Sequence, residues 1–357
     1  MAPLPYAEII RRSIPASFAW PLKFCTGTTL VAWALSVVTG NVSQVDRVWT
    51  VLPTIYTAYF ALLPLWPQEP LLPFWPYTPK AVHPLVGGNY SPRALLMLVL
   101  VFLWMCRLSY NTWRRGLFNL HDEDYRWQIL RDKLPTWLFQ ILNFVFIAVI
   151  QNIILFLLGI PTHIAAFQQP AHLSTSDYVL GALALADVLM EFVADNQQYS
   201  FQTYKHSGVL DKNEWPGARI QWTPRDAKRG FVTRGLWAWS RHPNFFCEQA
   251  FWGIITLFPL LAPEAPNLSL QQTPVTSLWP LLPALVLCTL FVSSTQFTES
   301  ISLSKYPQAY KAYQSRVSMF VPFLTPVWGF VLQLSGKKAE VDEVLFGQGP
   351  NKAGKNE

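Results

Sequence analysis

The sequence has little charge: Asp, Glu, Lys and Arg make up 13% of its 357 residues, against about 25% in a typical soluble domain. Its four cysteines lack the spacing of metal ligands and suggest no disulfide framework. None of the six histidines pairs with another at zinc spacing, so we expect no metal site. Gly-rich phosphate loops of the G-x-G-x-x-G or Walker type are also missing, so a bound nucleotide would need a different anchor.

Apolar residues, by contrast, make up 51% of the chain and are grouped into long runs. A helix needs about 20 mostly apolar residues to cross a bilayer. Seven runs approach that length: about 18–40, 48–66, 93–110, 136–160, 178–204, 245–262 and 278–298. The sequence therefore predicts an all-α, polytopic membrane helical bundle with about seven transmembrane helices.

The loops between these runs alternate in positive charge. Lys and Arg are frequent in 107–135, in 205–244 and after residue 300, whereas 161–177 and 263–277 contain neither. By the positive-inside rule the charged loops face the cytosol. This predicts lumenal loops at 67–92, 161–177 and 263–277, with the N-terminus outside and the C-terminus inside.

The same features divide the chain into three parts. Residues 1–17 form an N-terminal extramembrane segment, and residues 18–335 form the membrane domain. Within that domain, 195–325 contains most of the distinctive motifs. We expect residues 336–357, which are polar, to form a disordered cytosolic tail.

A polar stripe runs along the fifth apolar segment. At 100° per residue its members fall within an arc of about 80°; they are Asp187, Glu191, Asp195, Gln198, Gln202 and Lys205. Ionisable groups in a membrane are costly and usually face a bundle interior or an aqueous cavity. The stripe is either a set of structural interhelix hydrogen bonds or, as we favour, the wall of a ligand cavity that includes Glu191 and Gln202.

The third segment ends with Arg107, Asn111 and Arg114 on one helix face. Such arginines can simply extend towards lipid phosphates. The alternative is that Arg107 and Asn111 contribute to the substrate cavity, and both alternatives stay open.

The stretch SRHPNFFCEQAFW, residues 240–252, concentrates polar groups at the start of an apolar run. Pro243 favours the first position of a helix, whose free N–H groups attract anions. Asn244 and Glu248 then share one face, one turn apart. The pattern predicts a cofactor site, with Arg241 beside a phosphate; a basic loop touching anionic lipid explains the arginines but not Glu248. Further on, Glu299 could orient an arginine of this site.

At this point the residues resemble a known family. GLWAWSRHPNFFCEQAFW (235–252) is similar to the signature of membrane reductases related to the steroid 5α-reductase C-terminal domain, a superfamily that includes sterol reductases and isoprenylcysteine methyltransferase. VDRVW, RLSYNTWRRG, EDYRW, DNQQYSFQTYK and YPQAYKAYQSRVSMFVP fit a largely uncharacterised branch of it. The resemblance covers about residues 42–325. Phe245 and Cys247 depart from the Tyr and Gly that are frequent there.

The resemblance implies a helical bundle that binds NADPH in a pocket facing the cytosol and reduces an activated carbon–carbon double bond in a lipid. Carried over by position, the implied cofactor residues are Asp195, Gln198, Lys205, Arg241, His242, Asn244 and Glu248. An acid must protonate or polarise the substrate, and Glu248 and Tyr199 are the candidates for this catalytic role.

Two other function classes remain open: an S-adenosylmethionine-dependent lipid methyltransferase, and a non-catalytic lipid-binding relative, which the departures at Phe245 and Cys247 favour. The expected partners are a lipid substrate and the membrane, with no nucleic acid. If the chain is eukaryotic, the endoplasmic reticulum membrane is the expected location.

Overall fold

The structure is a computed structural model that describes residues 16–86, 88–168, 170–210, 212, 214–263 and 279–346. Over these ranges the regular structure is helical throughout, with no strand. The predicted all-α fold class is therefore confirmed.

Four helical stretches are long and apolar enough to cross a membrane. They are Ala16–Thr39, Pro92–Arg114, Thr136–Gln168 and Leu282–Lys305. The other three predicted spans correspond to a 10-residue helix, to the polar 33-residue helix Thr175–Ser207, and to the 18-residue helix Pro243–Leu260. The predicted count of about seven spans is thus not confirmed, whereas the prediction of apolar, membrane-compatible helices is.

The chain divides into two compact units. The first contains residues 1–185 and 252–287, and the second contains residues 186–251 and 288–357. In the first unit the helices are α1 (Ala19–Thr39), α2 (Gln44–Val48), α3 (Leu52–Ala61), α4 (Pro92–Arg114), α5 (Tyr125–Lys133), α6 (Thr136–Leu142), α7 (Gln151–Leu157), α8 (Ile160–Gln168) and the start of α9 (Thr175–Ser207). A π-helical stretch, Asn143–Ile150, joins α6 to α7.

Large aromatic side chains fill the first unit. A helix cap at Ser91 and a buried ion pair at Arg93 fix the position of α4. Ser91 caps α4 by accepting a hydrogen bond from the Ala94 amide, and Pro92 occupies the first helical turn. The neighbouring Arg93 forms a fully buried ion pair with Asp177, whose carboxylate lies 2.7 Å from its Nε. A buried ion pair needs such good geometry to offset the loss of hydration.

Two stretches singled out by the resemblance, VDRVW and EDYRW, contact each other in the first unit. The indole Nε1 of Trp127 donates to Asp46 Oδ2 at 2.9 Å. Glu123 accepts from the Val42 amide at 2.8 Å and pairs with Arg131, also at 2.8 Å. These bonds hold residues 123–131 on the start of the α2 region, so a structural role accounts for both stretches.

The second unit contains the rest of α9, then α10 (Pro224–Arg229), the start of α11 (Pro243–Leu260), the end of α12 (Leu282–Lys305), α13 (Pro307–Arg316), α14 (Thr325–Leu334) and α15 (Lys338–Phe346). One aromatic cluster joins α9 to the loop after it, through Phe201, Tyr204, Trp222 and Trp237. A second cluster joins α13 to α15.

Helix α15 corrects one expectation. Residues 336–357 were predicted to form a disordered tail, yet Lys338–Phe346 is helical and the Leu345 side chain is fully buried. The Leu345 carbonyl accepts from Arg229, and the Glu343 carbonyl accepts from Arg225 at 2.8 Å. The tail sequence is polar overall, but Leu345, the packing of Val341 and Phe346 and the Arg316–Asp342 ion pair at 2.8 Å hold this helix in place. Residues 347–357 and most of the predicted lumenal loop 263–277 lie outside the described residues.

Candidate functional site

The predicted helix start at Pro243 is confirmed, since α11 begins there. The residues before it pair with the stretch that follows α13. The Arg241 amide donates to the Ser318 carbonyl at 2.9 Å, and the His242 amide donates to the Met319 carbonyl at 3.1 Å. The signature segment is therefore fixed by backbone bonds before any side chain is considered.

The Arg241 side chain has a different role from the one predicted. Its Nε and Nη2 bond both carboxylate oxygens of Glu299, at 2.7 and 3.0 Å. Its Nη1 donates to the carbonyls of Gln314 and Val317. Four of its five N–H donors are thus satisfied within the protein, and the residue is 7% exposed. Arg241 therefore links the start of α11 to α12 and α13. We call the network of Arg241, His242 and Glu299 the latch.

Glu299 is the centre of this latch: it binds an arginine of the signature segment, and the predicted link of that arginine to a cofactor stays a prediction. Besides Arg241, it accepts from Gln314 Nε2 at 2.8 Å and contacts His242 Nε2 at 3.0 Å. The residue is 4% exposed. A buried carboxylate with this many donors, one of them a bidentate guanidinium, has its charge well compensated.

His242 is held inside the same network. Burial lowers the pKa of its imidazole, and the hydrogen bond to Glu299 opposes that effect only in part. The ring stacks on Phe245, with 5.6 Å between ring centroids. A histidine in this setting shapes the wall of the site and keeps the start of α11 in place.

Asn244 and Asp195 join the signature segment to the polar stripe of α9. The Asn244 Nδ2 donates to Asp195 Oδ1 at 3.2 Å. Asp195 and Glu191 are each 2% exposed, and Asp187 is 6% exposed. On α11, Glu248 is 6% exposed as well. The structure thus buries four carboxylic acids of the second unit on two helices that meet at the Asn244–Asp195 hydrogen bond.

The rest of the stripe is less uniform than the helical period predicts. Gln198 and Lys205 are partly buried, but Gln202 is exposed and is not buried with the acids of the stripe; its place in a cavity wall stays a prediction. Tyr199, a catalytic candidate, is 36% exposed and does not share the burial of the acids. The Lys205 Nζ donates to the Gly230 carbonyl at 2.9 Å and to the Tyr306 hydroxyl at 3.4 Å.

Arg107 and Asn111 belong to α4 in the first unit, apart in sequence from all the residues above. Both are buried, at 7% and 8% exposure. Asn111 Oδ1 accepts from Arg114 Nε at 3.0 Å, so these neighbours on one face of α4 interact with each other. Their contribution to a substrate cavity stays a prediction.

Sequence reasoning missed the residues that fasten the loop before the signature. Gly235 has φ +67°, and a β-carbon there would lie 2.5 Å from Gln197 Oε1. That oxygen accepts from the Leu236 amide at 2.9 Å, while Trp237 Nε1 donates to the Ala194 carbonyl at 3.1 Å. Gln197 lies about 120° of helix rotation from the centre of the stripe, so the periodic pattern could not have identified it.

Asp226 organises the basic loop between α9 and α11 by capping α10 and by pairing with two arginines. Thr223 and Asp226 form a reciprocal capping box at the start of α10. Asp226 also pairs with Arg229 at 2.6 Å and with Arg234 at 3.2 Å. Burial would raise the pKa of this carboxyl, but the bonds from Thr223 and Arg229 outweigh it and the pKa is lowered. Asp226 is therefore an ionised anchor for a positively charged surface.

The family described as "Protein of unknown function (DUF1295)" matches residues 32–317. The chain belongs to this family. An uncharacterized protein, C594.04c, from Schizosaccharomyces pombe is 32% identical over 323 residues, covering 90% of this chain and 83% of the relative. No solved structure matches the chain significantly. The family match takes in the stripe, the latch and α13, so the candidate site belongs to the shared region.

Proposed function

We propose that this chain is an NADPH-dependent membrane reductase that reduces an activated carbon–carbon double bond in a lipid of the steroid, sterol, isoprenoid or enoyl type. The observation that carries the proposal is the burial of Glu191, Asp195 and Glu248 around the Asn244–Asp195 hydrogen bond. Ionisable groups kept inside apolar helices typically serve a ligand or a reaction. The similarity of the same stretch to the steroid 5α-reductase type supplies the cofactor and the reaction class.

The residues present fit this cofactor in part. Asn244 and the carboxylates can bond the carboxamide and hydroxyl groups of a nucleotide. Arg241 does not fit as a phosphate contact, because Glu299 and two carbonyls occupy it. Cations for the phosphates would come from the basic loop and from Lys205 instead. When bound, NADPH supplies the hydride.

The roles of the protein groups follow from their burial. Glu248 is buried and one turn beyond Asn244, so it is our candidate for the group that protonates or polarises the substrate. Tyr199 is the weaker candidate because it is exposed. The latch formed by Arg241, His242 and Glu299 positions the start of α11, because its polar groups are bound to one another within the protein.

The lipid substrate would reach the site from the bilayer, since four helices of the described chain are long and apolar enough to cross a membrane. We propose the endoplasmic reticulum membrane as its location. A fluorescently tagged full-length chain should colocalise with a marker of that membrane, and a plasma-membrane signal would contradict this.

One observation favours a second function. A set of four buried carboxylic acids also suits a positively charged sulfonium, as in an S-adenosylmethionine-dependent lipid methyltransferase. S-adenosylmethionine carries a positive charge on its reacting sulfonium, whereas the reduced nicotinamide of NADPH is neutral and its negative charge lies on the phosphates. They can therefore be separated by direct binding.

The test is calorimetric titration of the purified full-length chain in mild detergent, with NADPH and with S-adenosylmethionine. The proposed function predicts saturable NADPH binding and none of S-adenosylmethionine. Glu248→Gln, which replaces the carboxyl by an amide at nearly constant volume, should weaken NADPH binding by about ten-fold or more.

The matched control is Glu340→Gln, the same substitution at an exposed position on α15. It should leave NADPH affinity unchanged. Binding of S-adenosylmethionine alone would establish the methyltransferase class in place of the reductase. Binding of neither cofactor would leave a non-catalytic lipid-binding protein as the conclusion.

A further inference from the structure

A surface cavity of about 260 Å³ lies in the second unit, where the end of α10 meets the start of α13. It is lined by Lys228, Arg229, Tyr306, Pro307, Gln308 and Ala309. None of these residues belongs to the buried acid set or to the latch. The lining combines two cations with the first turn of a helix.

The first turn of α13 offers unsatisfied amides to this cavity. Its N-cap residue, Tyr306, makes no side-chain capping bond, and Pro307 follows at the first helical position. The amides of Gln308 and Ala309 are therefore the leading N–H donors of a 10-residue helix without an intrahelical acceptor. Such amides, at the positive end of the helix dipole, bind anions.

A second, independent feature points to an anion at the same place. Arg229 lines the cavity and is 9% exposed, and its Nε has no hydrogen-bond partner among the residues that the structure describes. Its one carboxylate neighbour, Asp226, is shared with Arg234. Two guanidinium groups thus depend on a single negative charge, and a buried cation with incomplete compensation favours a further anion.

The neighbouring cations add to this positive charge. Lys228 is exposed at the mouth of the cavity. Lys205 lies behind Tyr306, with its Nζ on the Gly230 carbonyl and 5.8 Å from the centroid of the tyrosine ring. No carboxylate lines the cavity.

We propose that this cavity binds a phosphate monoester, held by the first-turn amides of α13 together with Lys228 and Arg229. The phosphate has two possible sources with the same chemistry: a water-soluble phosphate monoester, or the headgroup of an anionic phospholipid in the adjoining membrane. The site shares no residue with the buried acids, but Lys228 and Arg229 belong to the basic loop that the proposed function assigns to the NADPH phosphates. The measurements below therefore use ligands other than NADPH, so that failure of this site and failure of the reductase function are distinguishable.

Two binding measurements on the intact chain distinguish the sources. Equilibrium dialysis of the detergent-purified protein against radiolabelled inorganic phosphate, at constant ionic strength set with chloride, tests the soluble source. Native mass spectrometry of protein released from nanodiscs with equal phosphatidic acid and phosphatidylcholine tests the lipid source. Saturable phosphate binding, or selective retention of phosphatidic acid, supports the site and identifies its source.

Variants place the ligand in the cavity. Lys228→Ala should weaken whichever ligand binds by about ten-fold. Lys311→Ala, the same change at an exposed position one turn further along α13, should have no such effect. Ala309→Asp is the sharper variant, because an acid in the first turn stabilises a helix but repels an anion. It should abolish ligand binding without lowering the melting temperature.

Absence of both ligands from the wild-type chain would overturn the proposal. So would equal losses in Lys228→Ala and Lys311→Ala, since these would show a diffuse charge effect. Undiminished binding in Ala309→Asp would also exclude the first turn of α13 as the site.

Discussion

Replacing Arg241 should lower the stability of the protein, and this loss of stability should be the primary effect rather than a loss of ligand affinity. The guanidinium bonds both oxygens of Glu299 at 2.7 and 3.0 Å, and the acid is 4% exposed. Removing one partner of a buried ion pair costs about 3–5 kcal/mol, mostly because the other charge is left uncompensated. At about 2 °C per kcal/mol for a chain of this size, Arg241→Met should lower the melting temperature by about 6–10 °C.

A double-mutant cycle isolates the pair from the rest of the latch. Glu299→Leu should destabilise the chain by a similar amount, because it leaves the Arg241 charge buried. The double variant Arg241→Met/Glu299→Leu has neither charge, and a well-packed apolar replacement of a buried pair is often close to neutral. We therefore expect the double variant to be more stable than either single variant, with a coupling energy of about 2 kcal/mol or more.

The assay is thermal melting of the detergent-purified chain, followed by intrinsic tryptophan fluorescence. The control is Arg219→Met, since Arg219 is exposed and its Nη2 donates to the backbone carbonyls of Lys212 and Glu214, at 3.0 and 3.2 Å. Its melting temperature should stay within about 1 °C of the wild type. Additive losses in the double variant, or a normal melting temperature in Arg241→Met together with weakened NADPH binding, would refute the latch and restore Arg241 as a phosphate contact.

Three further predictions concern the surroundings of the latch. Burial lowers the pKa of His242, so the unfolded chain binds a proton there at higher pH than the folded chain. The free energy of unfolding should therefore fall as the pH drops through the ordinary histidine value of about 6.5. The melting temperature should depend less on pH in His242→Gln than in the wild type. Asn244→Leu removes a donor from the buried Asp195 and should cost about 1–3 kcal/mol in thermal melting; an unchanged melting curve would show that the bond is incidental. Gly230→Ala forces a side chain into φ +92° and places its β-carbon 2.3 Å from the Tyr306 ring, so it should cost about 1–3 kcal/mol and slow-scan melting should reveal it.

The helical fold and the start of α11 could be predicted because both depend on local information. Long apolar runs predict helices whatever their partners, and Pro243 marks a helix start by its own geometry. The number of spans was harder, since α3 is only 10 residues long although its apolar run is longer. There the chain around Pro53 and Pro64 breaks the run into short helices and turns, which hydropathy alone does not register.

The stripe on α9 shows how far a period can be trusted. It correctly selects Asp187, Glu191 and Asp195 as buried, but it also selects Gln202, which is exposed. A helical period describes which side chains share a face of one helix. It does not describe where the neighbouring helices end. Near residue 202 the stripe extends beyond the part of α9 that other segments bury, and Gln202 is therefore exposed.

The case of Arg241 has a wider consequence for the site. Its sequence neighbours, a helix start and a run of cations, are those of an anion site, and the sequence indeed predicts one. The fold brings in Glu299, 58 residues away, which occupies the guanidinium and also holds His242. Because α11 begins immediately after this latch, any weakening of Arg241 or Glu299 shifts Asn244 and Glu248 together. Loss of ligand affinity in latch variants would therefore follow loss of stability, whereas Glu248→Gln should lose affinity while its melting temperature stays near that of the wild type.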